Sequence, residues 1–197
     1  MAAITTEQIK KLRDTTGVSV MQCKKALEEA GGDSEKAIVI LRKVSKQIAE
    51  KKADREFGAG TIGAYIHNTN QVGAMVELLA ETDFVSGNEA FKTLARDIAM
   101  HIAASRPEFL KADDVSPEAT TAARAVFEKE AADKPEKMRA SIVEGKLKAY
   151  LKEKILLEQA FIKNPDVTIA GLIDSAIQKF GEKIEIARFV CFSVLGK

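Results

Sequence analysis

The chain is poor in the residues that usually build metal and redox sites. Its 197 residues include two cysteines, two histidines and no tryptophan. Cys23 and Cys191 lie far apart and form no CxxC pair, so their spacing offers no frame for a zinc or dithiol redox site. His67 and His101 have no Cys or His neighbour at ligand spacing, and His101 falls at the edge of an apolar stripe, as core-boundary histidines do. We therefore expect neither a metal nor a cofactor.

Excess charge of one sign and long apolar runs are also missing. The 30 basic and 29 acidic residues leave a net charge of +1, which argues against a nucleic-acid coat and an electrostatic membrane anchor. No stretch approaches the roughly 18 consecutive apolar residues of a membrane span. The opening segment, MAAITTEQIKKLRD, has an amphipathic pattern instead of a leader's apolar core. We expect a cytoplasmic protein with reduced thiols and with neither a nucleic-acid nor a membrane partner.

The N-terminal fifty residues carry the signals of three short helices. Gly17 can end the first, and Ser19 can cap the second, which ends at Gly31–Gly32. Asp33 can cap the third, which has apolar residues at helical spacing. A bundle of this size is marginal alone, so it should be attached to a larger unit.

The chain turns polar and then glycine-rich after this bundle, as a linker does. We therefore predict a three-helix domain over residues 1–52, a linker over 53–59 and a larger core domain over 60–197. This division rests on composition alone.

The remaining sequence alternates between strand and helix patterns. TIGAYIH and QVGAMVELLAETDFV flank Asn68-Thr69-Asn70 and predict a β-hairpin, and KIEIARFVCFSVL predicts a third strand. Helices are predicted over about 86–105, 116–132 and 135–162, the last broken by Asn164-Pro165. A shorter helix, TIAGLIDSAIQKFG, should close at Gly181. This order predicts an α+β fold with a small antiparallel sheet of about three strands and a helical hairpin.

Three patterns suggest chemistry, but their contexts argue against it. GAGTIG at residues 58–63 matches G-x-G-x-x-G, yet a charged helix precedes it and a strand follows, the reverse of a dinucleotide site. Glu81 and Asp83 could act as paired carboxylates in a small enzyme, but a solvated strand face gives the same pattern. Acidic residues dilute the lysine-rich piece from Arg42 to Arg55, as on a solvated helix face. We expect a protein that acts by binding another protein, and not an enzyme.

The segment ETDFVSGNEAF poses a question about Phe84. Ser86 and Glu89 fit the S-x-x-E capping box, which predicts a helix directly after Ser86 and a turn over Thr82–Val85. If the strand continued, Phe84 would share the buried face of the second hairpin strand. If the strand ends at Glu81, Phe84 stands at the tip of a turn, where a large aromatic side chain is available to a partner.

Long stretches of the chain resemble the bacterial elongation factor Ts family. The matching blocks, in order, are LRDTTGVSVMQCKKALEEAGGDSEKAIVILRK, ETDFV, DIAMHIAASRPEFL, EGKLKAYLKEKILLEQAFIKNP and ARFVCFSVLG. The resemblance runs, in this order, along essentially the whole chain. The resemblance implies a ubiquitin-associated-like three-helix head and a guanine-nucleotide exchange factor for elongation factor Tu.

The resemblance also implies roles for particular residues. Phe84, with Asp83 beside it, would enter a pocket between helices of the GTPase domain of elongation factor Tu and disturb the magnesium and phosphate end of its nucleotide site. The other residues implied to contact elongation factor Tu are Thr82, Val85, Arg13, Val20, Met21 and Lys24, with His67 as a further candidate. On this basis we expect Phe84 to be an exposed wedge.

Longer members of the family carry two related core halves and a coiled-coil insertion, and 197 residues leave room for one half. We therefore expect a homodimer, with the C-terminal strand that carries Cys191 as its edge. A disulfide between two copies of Cys191 is an open alternative, against which a reducing cytoplasm argues. An adaptor that uses the three-helix head to bind another folded protein is the alternative function.

Overall fold

Three helices open the part of the chain that the computed structural model describes, residues 4–52 and 54–196. They are α1 (Thr6–Thr16), α2 (Val20–Glu29) and α3 (Ser34–Lys51). Their apolar faces meet in one small core. Its buried members are Leu12, Val18, Cys23, Ala26, Leu27, Ala37 and Leu41. The predicted domain division at residues 53–59 stays a prediction.

Local capping chemistry sets the ends of these helices, as predicted. Gly17 ends α1 with φ of 69°, a left-handed conformation that glycine adopts without a steric cost. The Ser19 side chain accepts a hydrogen bond from a backbone N–H in the first turn of α2. The Asp33 carboxylate accepts from the N–H groups of Glu35 and Lys36 at the start of α3. These three boundary predictions are confirmed.

A β-hairpin follows, also as predicted. Its strands are β1 (Ala59–Ile66) and β2 (Val72–Ala80), which pair antiparallel from Ala59 opposite Ala80 to Ile66 opposite Gly73. Asn70 in the connecting turn has φ of 56°, a conformation that asparagine tolerates better than most residues.

The passage from β2 into the next helix differs from the prediction. A single helical turn, α4 (Asp83–Ser86), comes first, and the long helix α5 (Glu89–Ser105) begins three residues later than expected. The Ser86 hydroxyl donates to the Asp83 carbonyl oxygen inside α4, and Asn88 caps α5 instead. The capping box predicted at Ser86 was therefore wrong, because residues 83–86 form a turn of their own.

A helical hairpin and a small two-stranded sheet come next. The hairpin consists of α6 (Pro117–Glu130) and α7 (Glu136–Lys154), and the sheet pairs β3 (Ala160–Phe161) with β4 (Asn164–Thr168). The hairpin was predicted, but the continuation of its second helix to residue 162 was wrong.

Contacts with a distant segment end α7. The N–H groups of Leu156 and Leu157 donate to the carbonyl oxygens of Phe109 and Leu110, at 2.8 and 3.1 Å. Leu156 is fully buried. Because these N–H groups bond outside the helix, the helix stops at Lys154 although the following residues keep a helical pattern.

The last elements are α8 (Ile169–Phe180) and β5 (Ile184–Ser193). Gly181 ends α8 in the left-handed conformation with φ of 70°, as predicted. Strand β5 pairs antiparallel with β2, so the main sheet has the order β1-β2-β5 and β5 lies at an edge. The α+β prediction is confirmed.

One face of this sheet packs against α5 to form the main core. Alternate residues of β2 point inward and are buried, namely Ala74, Val76, Leu78 and Ala80. From α5, Phe91, Ala95, Ile98, Ala99 and Ile102 meet them. A Cβ atom on Gly63 would lie 2.3 Å from the Ala95 backbone, so the absence of a side chain at Gly63 lets β1 approach α5. Among the described helices, none is both long and apolar enough to cross a membrane.

In the part of the chain that the structure describes, the opposite face of the main sheet is exposed, and most of its large side chains are apolar. We call it the open face; its large apolar side chains are Ile62, Ile66, Met75, Val190 and Phe192, all exposed. Arg188 and Glu77 form an ion pair with an N–O distance of 2.6 Å across β5 and β2. A contiguous apolar surface of this kind is typical of a protein contact.

Candidate protein-binding site

The turn α4 presents Phe84 to solvent. The Phe84 side chain is 83% exposed, whereas its neighbour Val85 is 3% exposed and packs into the main core. Successive residues of a helical turn point about 100° apart, so one can face the core while the next faces outward. Asp83 is exposed at the first position of the turn. The expected exposure of Phe84 is confirmed, and its contact with a partner stays a prediction. The contact implied for Val85 was wrong, because its side chain is buried in the main core of this chain.

The carboxylate of Glu182 holds the start of this turn. One of its oxygens accepts from the Thr82 N–H at 3.1 Å and the other from the Thr82 hydroxyl at 2.6 Å. Thr82 is the N-cap residue of α4, and its hydroxyl is directed to Glu182 instead of to the backbone of the turn. The turn is therefore attached to the loop between α8 and β5.

Glu81, the residue before Thr82, is the centre of a charged cluster. One carboxylate oxygen accepts from the Lys52 ammonium at 3.3 Å and the Lys183 N–H at 2.5 Å, and the other from Arg55 at 2.6 Å. Burial of the side chain, 14% exposed, acts to raise the pKa of Glu81. The hydrogen bonds from Lys183, Arg55 and Lys52 outweigh burial and hold this pKa below its ordinary value.

This arrangement bears on the idea of a catalytic carboxylate pair. A general acid needs a raised pKa, whereas that of Glu81 is lowered and its oxygens already accept three hydrogen bonds. Asp83, the other member of the pair, lies exposed on α4. The cluster is therefore suited to holding the backbone in place.

A second exposed surface lies at the start of α2. Val20 is 50% and Met21 80% exposed, while Cys23 of the same helix is buried. Lys24 is exposed and forms an ion pair with Glu28 at 3.8 Å. Arg13, near the end of α1, is exposed as well. The four residues implied in the N-terminal contact are thus all accessible.

Comparison with known proteins decides the family. The model of the family described as "Elongation factor TS" matches residues 4–197. Elongation factor Ts of Carboxydothermus hydrogenoformans is 47% identical over 193 residues, which cover 97% of this chain and 89% of that protein. The protein of the same name from Thermosipho melanesiensis is 44% identical, with 97% and 98% covered.

The chain belongs to the elongation factor Ts family.

Thermodesulfovibrio yellowstonii has an elongation factor Ts that is 46% identical over 193 residues and covers 98% of this chain and 96% of its own length. Coverage of this extent means that the head, the ETDFV segment and the C-terminal strand all lie within the matched length.

His67 lies apart from the other residues that the elongation factor Ts resemblance implied. It is exposed beside the hairpin turn, and the Tyr65 hydroxyl lies 3.2 Å from its Nδ1. The turn is at the far end of the hairpin from α4, because Ala59 pairs with Ala80 at the other end. Eight strand residues span about 25 Å, so the structure does not bring His67 to Phe84.

Cys191 lies on the edge strand β5, opposite Ala74 of β2. It is half-buried and packs against the main core, and both cysteines of the chain are free thiols. Burial raises the pKa of the Cys191 thiol, although Arg106 acts in the other direction. The thiolate that a disulfide requires is therefore scarce at neutral pH.

His101 takes part in a buried polar network. Its Nδ1 accepts from the Ile162 N–H at 3.3 Å, which leaves the proton on Nε2 to be donated to the Gln159 side-chain oxygen at 2.8 Å. Burial lowers the pKa of His101, and the bond to Gln159 opposes that shift. The histidine is neutral and joins α5 to the segment after α7, in agreement with the core-boundary interpretation.

The residues that hold the turn were not predicted from the sequence. Lys52 and Arg55 were assigned to a solvated helix face, and Glu182 was not considered. Thr82 and Glu182 are 100 positions apart, and no local pattern links them. Pairing of β2 with β5 is the one signal that could have brought them together, because it places Ala80 opposite Ile184.

Proposed function

We propose that this chain is the guanine-nucleotide exchange factor for elongation factor Tu in translation elongation. Membership of the elongation factor Ts family supports elongation factor Tu as the partner. Relatives that carry this family name match nearly the whole length of the chain. The observation that carries the proposal is the exposure of Phe84 on a turn that is fixed by the burial of Val85 and by two hydrogen bonds from Thr82 to Glu182. The site of action would then be the cytoplasm.

In this proposal Phe84 is a wedge. It enters a pocket between helices of the GTPase domain of elongation factor Tu, beside the magnesium and phosphate end of the nucleotide site. Magnesium and the phosphate-binding loop hold GDP by neutralising its charge. The wedge binds best to the form in which that end is distorted, so it weakens GDP binding without touching GDP.

Linkage describes the energetics of the exchange. If binding of this chain lowers the affinity of elongation factor Tu for GDP by a given factor, binding of GDP lowers its affinity for this chain by the same factor. GTP then refills the empty site and releases the exchange factor. The chain makes and breaks no covalent bond and needs no cofactor, and its contribution is a coupling free energy between two binding events.

The surface at the start of α2 is proposed as the second contact with elongation factor Tu. Met21 and Val20 provide exposed apolar area, and Lys24 and Arg13 provide positive charge beside it. Asp83 adds a negative charge next to the wedge. An adaptor would need the α2 surface but would have no use for Phe84, so the exchange function accounts for more of the exposed apolar residues.

Release of labelled GDP from elongation factor Tu tests the proposal. With this chain present, the release rate should rise in proportion to its concentration until elongation factor Tu is saturated. A release rate equal to that without the chain would refute the exchange function.

We also propose that the chain forms a homodimer, in which the open face and the neighbouring edge of β5 meet a second copy. The face carries Met75 and Phe192 among its exposed apolar residues, and β5 lies at the edge of the sheet. Burying such a face removes apolar surface from water, and a twofold axis lets identical faces cover each other.

The mass in solution tests the dimer. Light scattering should give about twice the 21.4 kDa of the chain, and Phe192→Asp should lower that mass toward one chain. Val39→Asp, on α3 and also exposed, should leave the mass unchanged. A single-chain mass for the unmodified protein would refute the dimer.

A further inference from the structure

Three segments that are remote in sequence meet behind the turn that carries Phe84. The first is the end of α3 and the residues after it, the second is the end of β2, and the third is the loop between α8 and β5. Lys52 links all three, because its ammonium donates both to Glu81 and to the Gly181 carbonyl oxygen. Arg55 adds a second bond to Glu81 from the first segment.

Close backbone approach accompanies these charges. A Cβ atom on Gly58 would lie 2.8 Å from the Glu81 carbonyl oxygen, so the residues before β1 pass directly against the end of β2. The Lys183 ammonium donates to the Arg55 carbonyl oxygen at 3.0 Å and lies 4.5 Å above the Phe57 ring centroid. The segment after α3 is therefore bonded both to the end of β2 and to the loop between α8 and β5.

Of the side-chain contacts at this junction, the one between Glu182 and Thr82 is the nearest in sequence to Phe84. A helical turn of four residues has little stability of its own, because few hydrogen bonds offset the cost of ordering it. Val85 anchors this turn by burial in the main core. The two bonds from Thr82 to both oxygens of Glu182 fix a second point, two residues before Phe84.

The helix that precedes Glu182 also contacts the N-terminal helices. The Ser45 hydroxyl of α3 donates to the Gln178 side-chain oxygen of α8 at 2.9 Å, and both side chains are buried. The short stretch from Gln178 to Glu182 thus contacts the head at one end and the Phe84 turn at the other.

We propose that Glu182 is a positioning residue for nucleotide exchange, which acts by holding the α4 turn so that Phe84 is presented in one orientation. Glu81 and its cations connect the same junction to the segment that follows α3. The inference rests on the proposed exchange function. Its physical basis is preorganisation: a side chain already held in its binding orientation loses less entropy when it binds.

Kinetics of GDP release from elongation factor Tu test this role with three substitutions. Glu182→Ala removes both bonds and should lower kcat/KM about tenfold, the effect expected for losing two hydrogen bonds to a charged group at a partly exposed site. Glu182→Gln should retain most of the activity, because its oxygen still accepts from the Thr82 N–H and its amide can donate to the Thr82 hydroxyl. Glu128→Ala, an exposed glutamate on α6, is the matched control and should have no effect.

A double-mutant cycle separates positioning from a general structural effect. In a Phe84→Ala background, Glu182→Ala should cost almost nothing further, because the wedge that Glu182 orients is gone. A second tenfold loss in that background would show that Glu182 acts elsewhere and would overturn the inference. Activity of Glu182→Ala equal to that of Glu128→Ala would also overturn it, while leaving the exchange function in place.

Hydrogen exchange in the chain alone gives a readout that does not depend on elongation factor Tu. The N–H groups of Ser86 and Gly87 bond back to Thr82 and Asp83 within the turn. Their hydrogen exchange should become faster in Glu182→Ala and stay unchanged in Glu128→Ala. Unchanged hydrogen exchange of these N–H groups in both variants would refute the positioning role. If the unmodified chain did not accelerate GDP release from elongation factor Tu, the proposed function itself would be refuted.

Discussion

Replacing Phe84 by alanine is the most direct test of the wedge. The side chain is 83% exposed, so nearly all of its surface is available to a partner. Covering an aromatic side chain buries about 150–250 Å², and each Å² contributes about 25 cal/mol. After allowance for the area that alanine keeps, Phe84→Ala should cost about 2–4 kcal/mol of binding to the distorted form of elongation factor Tu, or about 30- to 700-fold.

The same exposure predicts little effect on folding. Phe84 contributes almost no buried area to the free chain, so its free energy of unfolding should change by less than about 0.5 kcal/mol. The assay therefore has two parts, the rate of GDP release from elongation factor Tu and urea unfolding of the chain alone. Met138→Ala on α7, which is 55% exposed, is the control and should change neither quantity.

Two results would refute this reasoning. If Phe84→Ala released GDP as fast as the unmodified chain, the wedge would not carry the coupling. If it instead destabilised the chain by several kcal/mol, the Phe84 ring would pack against its own fold in solution, and a loss of exchange would have a structural cause.

Gly63→Ala should destabilise the fold by about 3 kcal/mol or more, because its Cβ would lie 2.3 Å from the Ala95 backbone. Gly145→Ala, exposed within α7, should stabilise it by about 0.5–1 kcal/mol, and thermal unfolding compares the two. Burial lowers the pKa of His101 from 6.5 despite the bond to Gln159, so the unfolded chain takes up this proton first on acidification. The contribution of neutral His101 to the free energy of unfolding should be complete above pH 6.5 and lost as the pH falls through the folded-state pKa. In urea unfolding, the free energy of unfolding should fall less over this pH range for His101→Gln than for the unmodified chain. An equal fall would contradict the lowered pKa of His101.

Helix boundaries show where local sequence suffices. Gly17 and Gly181 end their helices because each adopts a left-handed conformation that other residues resist, and Asp33 begins one because its carboxylate reaches N–H groups two and three residues ahead. These interactions involve neighbours along the chain, so their outcome can be predicted without the fold.

Alternation in the strands was equally informative. Both hairpin strands were predicted from their residue pattern, and the hairpin turn at Asn68–Asn70 came out as expected. What period two did not establish was the position of Phe84, because the pattern continues past Ala80 while the strand does not. Phe84 is exposed because it lies in the helical turn α4, in which Val85 is the residue that packs into the core.

The sequence by itself therefore determined the order of the longer helices and strands, the α+β class and, through long matching blocks, the elongation factor Ts family, but not the short elements α4, β3 and β4. Tertiary structure decided the end of α7 at Lys154 and the two hydrogen bonds from Thr82 to Glu182. The reason is the separation of the partners. Capping and alternation act between near neighbours, whereas the bonds that end α7 and hold the Phe84 turn join backbone and carboxylate groups brought together only by packing of the sheet and helices.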